Sequence, residues 1–149
     1  MCGIIGYTNN VSNNQSVIEN MLQKISHRGP DDQGYYQDSK ITLGMRRLSI
    51  IDLDSGNQPL FNEDKSLILV FNGEIYNYQV LRAKLISLGH TFTTNSDSEV
   101  IIHGYEEYGN DIVNHLRGMF AFAIYNIHTK ALFIARDIFG IKPLFYTIV

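Results

Sequence analysis

The stretch Met1-Cys2-Gly3-Ile4-Ile5-Gly6-Tyr7 places the only cysteine of the chain directly behind Met1. Removal of Met1 makes that cysteine the first residue, so that a thiol and a free α-amine share one carbon. The nucleophile then carries its own base, as in the pairing of threonine with the N-terminal amine in covalent catalysis. An internal cysteine has no such option. The alternative is a small apolar residue opening a buried strand, and residues further along the chain have to decide between the two.

Bulk properties narrow the field. A chain of 149 residues is long enough to bury one real core, so one unit without a linker is expected. Apolar residues make up 44% and charged residues 18%, and no low-complexity tract interrupts them, which argues against disorder. A net charge of −3 offers no electrostatic footprint for nucleic acid or for an anionic membrane surface. The longest apolar runs, Leu67 to Phe71 and Met119 to Tyr125, fall far short of the roughly 18 residues that span a bilayer. No secretory signal pattern opens the chain, and a single cysteine cannot form an internal disulfide. A reduced, cytoplasmic setting is therefore expected, and it suits a working thiol.

Periodicity sets out the elements around the opening strand. Val17, Ile18, Met21, Leu22 and Ile25 recur on one helical face, predicting a helix over Gln15 to Ser26 with Asn13 and Asn14 as cap candidates. His27-Arg28-Gly29-Pro30 breaks it. Two strands are expected at Gly34 to Gln37 and Ile41 to Leu48. Leu67 to Phe71 has the continuous apolar pattern of a strand buried on both faces, ended by Asn72-Gly73. Tyr78, Leu81, Leu85 and Leu88 form a helical stripe closed by Gly89. His90 to Thr94 reads as a short strand. Ser96-Asp97-Ser98-Glu99 has the form of a capping box opening a helix through Tyr108, stopped at Gly109. A short helix over Asn110 to Leu116 and a hairpin of Phe120 to Asn126 with Ala131 to Ala135 follow. Strands apolar on both faces need cover on both sides, so stacked sheets flanked by helices are expected. Pro143 to Val149 reads as a strand left with an open edge.

Several stretches, in order along the whole chain, resemble the glutaminase half of asparagine synthetase, a class II glutamine amidotransferase of the N-terminal-nucleophile type. They are Met1-Cys2-Gly3-Ile4, His27-Arg28-Gly29-Pro30-Asp31, Arg47-Leu48-Ser49-Ile50-Ile51-Asp52, Asn72-Gly73-Glu74-Ile75-Tyr76-Asn77, Ser96-Asp97-Ser98-Glu99, Gly118 to Ala123 and Arg136 to Leu144. The resemblance implies an α+β fold, a four-layer α/β/β/α sandwich lacking its last strands. It implies one glutaminase domain over residues 1–149, C-terminally incomplete and without a synthetase domain. The implied reaction is hydrolysis of glutamine to glutamate and ammonia through a Cys2 thioester. Near neutrality an ordinary thiol and α-amine are both mostly protonated, so the fold has to steady the thiolate or depress the amine, and the sequence does not show which.

The same resemblance assigns roles. Asn72 and Gly73 would supply the oxyanion hole, one side-chain amide and one backbone N–H, although Asn-Gly is also the strongest short hairpin signal. Glutamine is a zwitterion, and Arg47 would receive its α-carboxylate through a planar fork while Asp97 receives its α-ammonium. Otherwise Arg47 is a solvated strand-end charge and Asp97 a carboxylate in a first helical turn. Backbone atoms of Leu48, Ser49, Ile50, Ile51 and Glu74 would line the glutamine site, and Arg28 would either help hold the strand of the nucleophile or be a plain loop charge. His27, His90, His103, His115 and His128 show no metal-ligand spacing, so no metal is expected. No cofactor is expected in this chain either, since no phosphate-cradling glycine loop occurs and ATP and magnesium belong to the missing synthetase domain. Expected partners are glutamine, a synthetase domain or chain that receives ammonia for asparagine biosynthesis, and another copy pairing through the open sheet edge. The competing reading is an idle truncated fragment, or an interaction module that keeps the fold without turnover.

Overall fold

Alternation along the central strands decides the architecture. In the computed structural model, which describes residues 2–8, 14–48 and 57–148, Ile41, Leu43 and Met45 of one strand pack against Ile68 and Val70 of another, with Ala123 and Tyr125 of a third. Every second residue therefore points into one shared interior. The first of these strands, β3 (Ile41–Arg47), lies between β1 (Gly3–Thr8) and β2 (Asp32–Gln37) in an antiparallel sheet. The second and third, β5 (Leu67–Ile75) and β6 (Gly118–Asn126), are flanked by β4 (Leu60–Phe61) and β7 (Leu132–Arg136) in a sheet of order β4-β5-β6-β7.

The opposite faces carry the helices. Helix α1 (Asn14–Lys24) buries Ile18 and Leu22 over Gly44 on the outside of the first sheet. On the outside of the second, Leu67, Leu69, Phe71 and Ile75 meet Leu81 and Leu85 of α2 (Tyr78–Ser87) and Val100 to Ile102 of α3 (Glu99–Tyr108). Each fully buried aliphatic side chain contributes about 1.5–3 kcal/mol. The result is the expected α/β/β/α stack. A 3₁₀ turn at Gly109–Asp111 and α4 (Ile112–His115) lead from α3 into β6, so the single helix expected over Asn110 to Leu116 is split.

Five local expectations are corrected. Strand β5 does not end at Asn72-Gly73 but continues to Ile75, because β6 pairs with it throughout, Asn72 opposite Ala121 and Gly73 opposite Phe120. Residues 90–94 form no strand. His90 N–H donates to the Leu85 carbonyl oxygen, and three further backbone donors go to carboxylates, Thr91 to Glu63 and both Thr93 and Thr94 to Glu99. Glu99 is thereby unavailable for the capping box, and no side chain caps α3 at Ser98. Pro143 to Ile148 are likewise not a strand, and Phe145, Tyr146 and Ile148 are exposed. Leu88 leaves the stripe of α2 for solvent because the helix ends at Ser87. Asn13 and Ser49 to Asp52 lie outside the described residues.

At one end of the inter-sheet interior, Asp38 in the β2–β3 turn ties the sheets together. It accepts hydrogen bonds from the Tyr125 hydroxyl (2.9 Å), Lys130 Nζ (3.2 Å) and the backbone of Lys40 and Ile41. Burial alone would raise its pKa, but these donors outweigh it and hold the carboxyl at about 2. Burial and the neighbouring Asp38 push Tyr125 up to about 12. Because the folded-state pKa of Asp38 lies below its ordinary 3.8, the contribution is present above that value and is lost as pH falls toward 2. Asp38→Asn is expected to lower the melting temperature at neutral pH by about 2–4 °C and to flatten the acid limb between pH 4 and 2. Thermal melts across pH check this, and an unchanged acid limb in the variant would remove Asp38 from the account.

Candidate active site

At the other end of the interior the inward-facing positions change from apolar to polar. On β5 the series Ile68, Val70 continues as Asn72 and Glu74; on β3 the series Ile41, Leu43, Met45 continues as Arg47. Cys2 and Ile4 face the same layer from the first strand. A cavity of about 130 Å³ opens there, bounded by Cys2, Arg47, Asn72, Gly73 and Asp97 together with Leu48 and Glu74. One water needs about 10–15 Å³ of such space, so the cavity lies far above the single-water threshold and has room for a small polar ligand. All five groups expected to meet do meet. Ser49, Ile50 and Ile51, also expected at the site, lie outside the described residues.

Cys2 is fixed from two directions. Its sulfur accepts a hydrogen bond from the Leu48 N–H (3.4 Å) and lies 3.7 Å from the Leu48 carbonyl oxygen. Arg28 Nε donates to the Cys2 carbonyl oxygen at 3.1 Å, which gives Arg28 the bracing role of the two open to it. The next residue explains the glycine of that loop: a Cβ on Gly29 would collide with the peptide linking Arg46 to Arg47. Asp31 N–H then donates to the Arg47 carbonyl oxygen. One loop thus holds both the nucleophile and the arginine. Arg47 is buried, and its Nη1 donates to Asn57 Oδ1 at 3.0 Å.

The backbone of β5 supplies the site's most specific geometry. Donors alternate sides along a strand, and Tyr76 N–H reaches the Arg117 carbonyl oxygen just before β6, so the even-numbered donors face β6. The odd-numbered donors face the other edge, where β4 pairs only with Ile68 and Leu69. There Phe71 N–H donates to Gln58 Oε1 and Ile75 N–H to Asp97 Oδ2, both at 2.7 Å. Gly73 N–H lies between these two, on the edge that borders the cavity. Side-chain room is absent at this position, since a Cβ on Gly73 would overlap the Met119 carbonyl oxygen and sit 2.7 Å from Phe120 Cα. Asn-Gly here is a strand interior with a close backbone approach, not a hairpin.

Asp97 is buried beside Ser96, whose hydroxyl lies 3.5 Å from Oδ1 and 2.6 Å from Ser98 Oγ. Burial raises its pKa, the Ile75 N–H opposes the rise, and the charge of Glu74 adds to it. Sequence reasoning missed Gln58 and Lys142, which share the cavity wall. Lys142 is buried at the end of a loop nested on Asp137, which accepts N–H bonds from Phe120, Phe139, Ile141 and Lys142. Burial would raise Asp137, and these four donors hold it below its ordinary value. The run Arg136 to Leu144 was legible as a motif, but nothing in its pattern marks Lys142 as inward-facing.

Two stacked antiparallel sheets between helices, with Cys2 on the wall of an amide-lined cavity, form the arrangement that the resemblance to N-terminal-nucleophile amidotransferases implies. The glutamine amidotransferase domain model matches residues 1–149, and the chain belongs to that family. It is 48% identical to glutamine-hydrolysing asparagine synthetase 1 of Bacillus subtilis, over 99% of this chain and 24% of that protein. It is 45% identical to glutamine-hydrolysing asparagine synthetase 2 of Arabidopsis thaliana, over 97% of this chain and 25% of that protein. The chain thus spans about a quarter of the length of these relatives. Its fold is shared with glutamine phosphoribosylpyrophosphate amidotransferase from B. subtilis, solved with ADP and GMP. That match has a TM-score of 0.68 at 21% identity, covering 91% of this chain and 36% of that one.

An ionised carboxylate in this setting opposes folding. The raised pKa of Asp97 means that its favourable contribution is present at acid pH and is lost as pH rises through the folded-state value. Asp97→Asn is therefore expected to melt at an equal or higher temperature than the parent at pH 7, with the gap narrowing below about pH 4. A lower melting temperature for the variant at pH 7 would contradict the burial argument.

Proposed function

We propose that this chain hydrolyses glutamine to glutamate and ammonia, with Cys2 as nucleophile once Met1 is removed, and hands the ammonia to an ATP-dependent, aspartate-amidating synthetase domain or chain. The observation that carries the reading is the pairing of Asn72 with the Gly73 N–H on the cavity that Cys2 also lines. Cys2 Sγ attacks the carboxamide carbon of glutamine and the carbonyl π pair moves onto oxygen. Asn72 and Gly73 donate to that oxyanion. Collapse of the tetrahedral species expels ammonia, its extra proton delivered through the α-amine of Cys2, and leaves a γ-glutamyl thioester. Water then attacks the thioester and returns the sulfur. The Leu48 N–H, 3.4 Å from Sγ, is a donor placed to hold the sulfur at the cavity.

Substrate selection follows from charge. Arg47 receives the α-carboxylate and Asp97 the α-ammonium, so the desolvation that opposes folding at Asp97 is offset when a cation arrives. A hydrogen bond to a charged group is worth about 1.5–3 kcal/mol, or roughly 10- to 150-fold in KM for Asp97→Asn. Ammonia transfer needs a surface for the acceptor. Ile138, Phe139, Phe145 and Tyr146 are apolar and between 85% and 92% exposed, the type of residue that a partner domain covers. A cytoplasmic setting accords with an unpaired nucleophilic thiol. In this reading the chain itself uses no cofactor.

Glutamate release from glutamine is the test, run on protein whose intact mass shows that Met1 is gone. Cys2→Ala is expected to abolish turnover, and Asn72→Ala to lower kcat by about 10²–10³ with a much smaller effect on KM. Absence of turnover from processed, folded parent protein would overturn the proposal, as would turnover that survives Cys2→Ala.

A further inference from the structure

Away from this cavity, on the helical side of the second sheet, two histidines far apart in the chain come together with carboxylates on both sides. His90 follows α2, His103 and Glu106 lie on α3, and Glu63 sits in the β4–β5 turn. One ligand-type atom from each of these four lies within 4.8 Å of all the others. Glu106 Oε2 is 2.9 Å from His103 Nδ1 and 3.5 Å from His90 Nδ1, and Glu63 Oε2 is 3.7 Å from His103 Nδ1. A tetrahedral zinc ion with ligand bonds of about 2.0–2.1 Å has ligand-to-ligand edges of about 3.3–3.4 Å. These three separations bracket that value, while the full set spreads to 4.8 Å, so the outer ligands close in when an ion binds.

The atoms behind the cluster are arranged as an outer shell. His90 Nε2 meets Glu107 Oε1 at 2.9 Å, and His103 Nε2 faces Glu99 Oε1 at 3.6 Å. His90 therefore turns one nitrogen to the common centre and hydrogen-bonds the other to a carboxylate, the pairing that fixes the tautomer of a metal-bound imidazole, while His103 Nε2 is buried without a hydrogen-bond partner among the described residues, facing Glu99. The carboxylates are oriented in the same way. Thr91 N–H holds Glu63 Oε1 at 3.1 Å and Asn62 Nδ2 holds Glu106 Oε1 at 2.8 Å, leaving each Oε2 for the centre. Phe92 packs edge-on against the His103 ring, 4.6 Å between centroids. Four carboxylates around two imidazoles leave an excess of negative charge, and an open cleft lined by Glu63, Lys65, Thr91 and His103 gives access from solvent.

We propose that Glu63, His90, His103 and Glu106 bind a divalent metal ion of the zinc class, clamping the 90–94 segment to α3 and to the β4–β5 turn. All four positions around the ion are filled by protein, so the site is structural. The sequence concealed it because no two of the histidines stand at zinc-motif spacing; α3 and two turns assemble the set in three dimensions.

The test uses the full chain carrying Cys2→Ala, which removes the one thiol that would compete for zinc, after stripping with a chelator. Titration with Zn²⁺ against a chromophoric competitor is expected to show one equivalent bound per chain, with a rise in melting temperature. Glu63→Gln and His90→Gln, at positions less buried than His103, are each expected to weaken binding by about tenfold or more, and Glu107→Gln by about 10- to 100-fold. Co²⁺ in place of zinc is expected to give the intense visible absorption of a tetrahedral site. Failure to bind one equivalent would overturn the proposal, and so would undiminished affinity in the Glu63→Gln, His90→Gln double variant. None of these readouts requires glutamine turnover.

Discussion

Backbone alternation along β5 is the constraint from which the arrangement of the cavity wall follows, because one strand turns consecutive residues in two directions. Asn72 must face the layer between the sheets while Gly73 offers its N–H at an edge left uncovered past Leu69. A shift of register by one residue would send Asn72 into the aliphatic layer beneath α2 and α3 and aim its neighbour at β6. The long antiparallel pairing with β6 prevents that shift. The close approach of Met119 and Phe120 makes glycine the residue that allows this pairing to continue through the site.

The charged groups depend on a second layer of support. Arg47 continues the inward face of β3 and is backed by the Gly29 loop, so the chemistry at the end of the strand is inseparable from the turn that follows α1. Asp97 is held at the start of α3 by a chain of hydroxyl and carboxylate contacts. Glu99 accepts from Thr93 and Thr94, Thr94 Oγ1 accepts from Ser96 N–H, and Ser96 reaches Ser98 and Asp97. Polar networks of this sort are favourable when every member is satisfied. They also explain why residues 90–94 dispense with a strand.

Much of the fold was legible because it rests on period-two and helical patterns that survive into the core, as in Leu67 to Phe71 and Ile18 with Leu22. The site was legible where a short motif carries its own geometry, as at Cys2, Asn72-Gly73 and Arg47. Reading failed where tertiary partners overrode local propensity. Asn-Gly signals a hairpin in isolation, yet β6 extends the strand straight through it; Glu99 has capping-box spacing, yet finds four better donors on Thr93 and Thr94. Gln58 and Lys142 reach the cavity from segments whose local sequence gives no direction to their side chains. His90 and His103 share no helical face, and only folding makes their rings neighbours, 5.1 Å apart.

Among the described residues, strand β1 lies at the margin of its sheet and pairs with β3 alone, and Cys2 precedes its first rung. Terminal rungs of a marginal strand open more readily than interior ones, on timescales far faster than global unfolding. A reactive sulfur anchored only there would wander with each opening. The Arg28 guanidinium on the Cys2 carbonyl and the Leu48 amide on the sulfur close that rung from outside the ladder, so the position of the sulfur does not rest on the strand ladder alone.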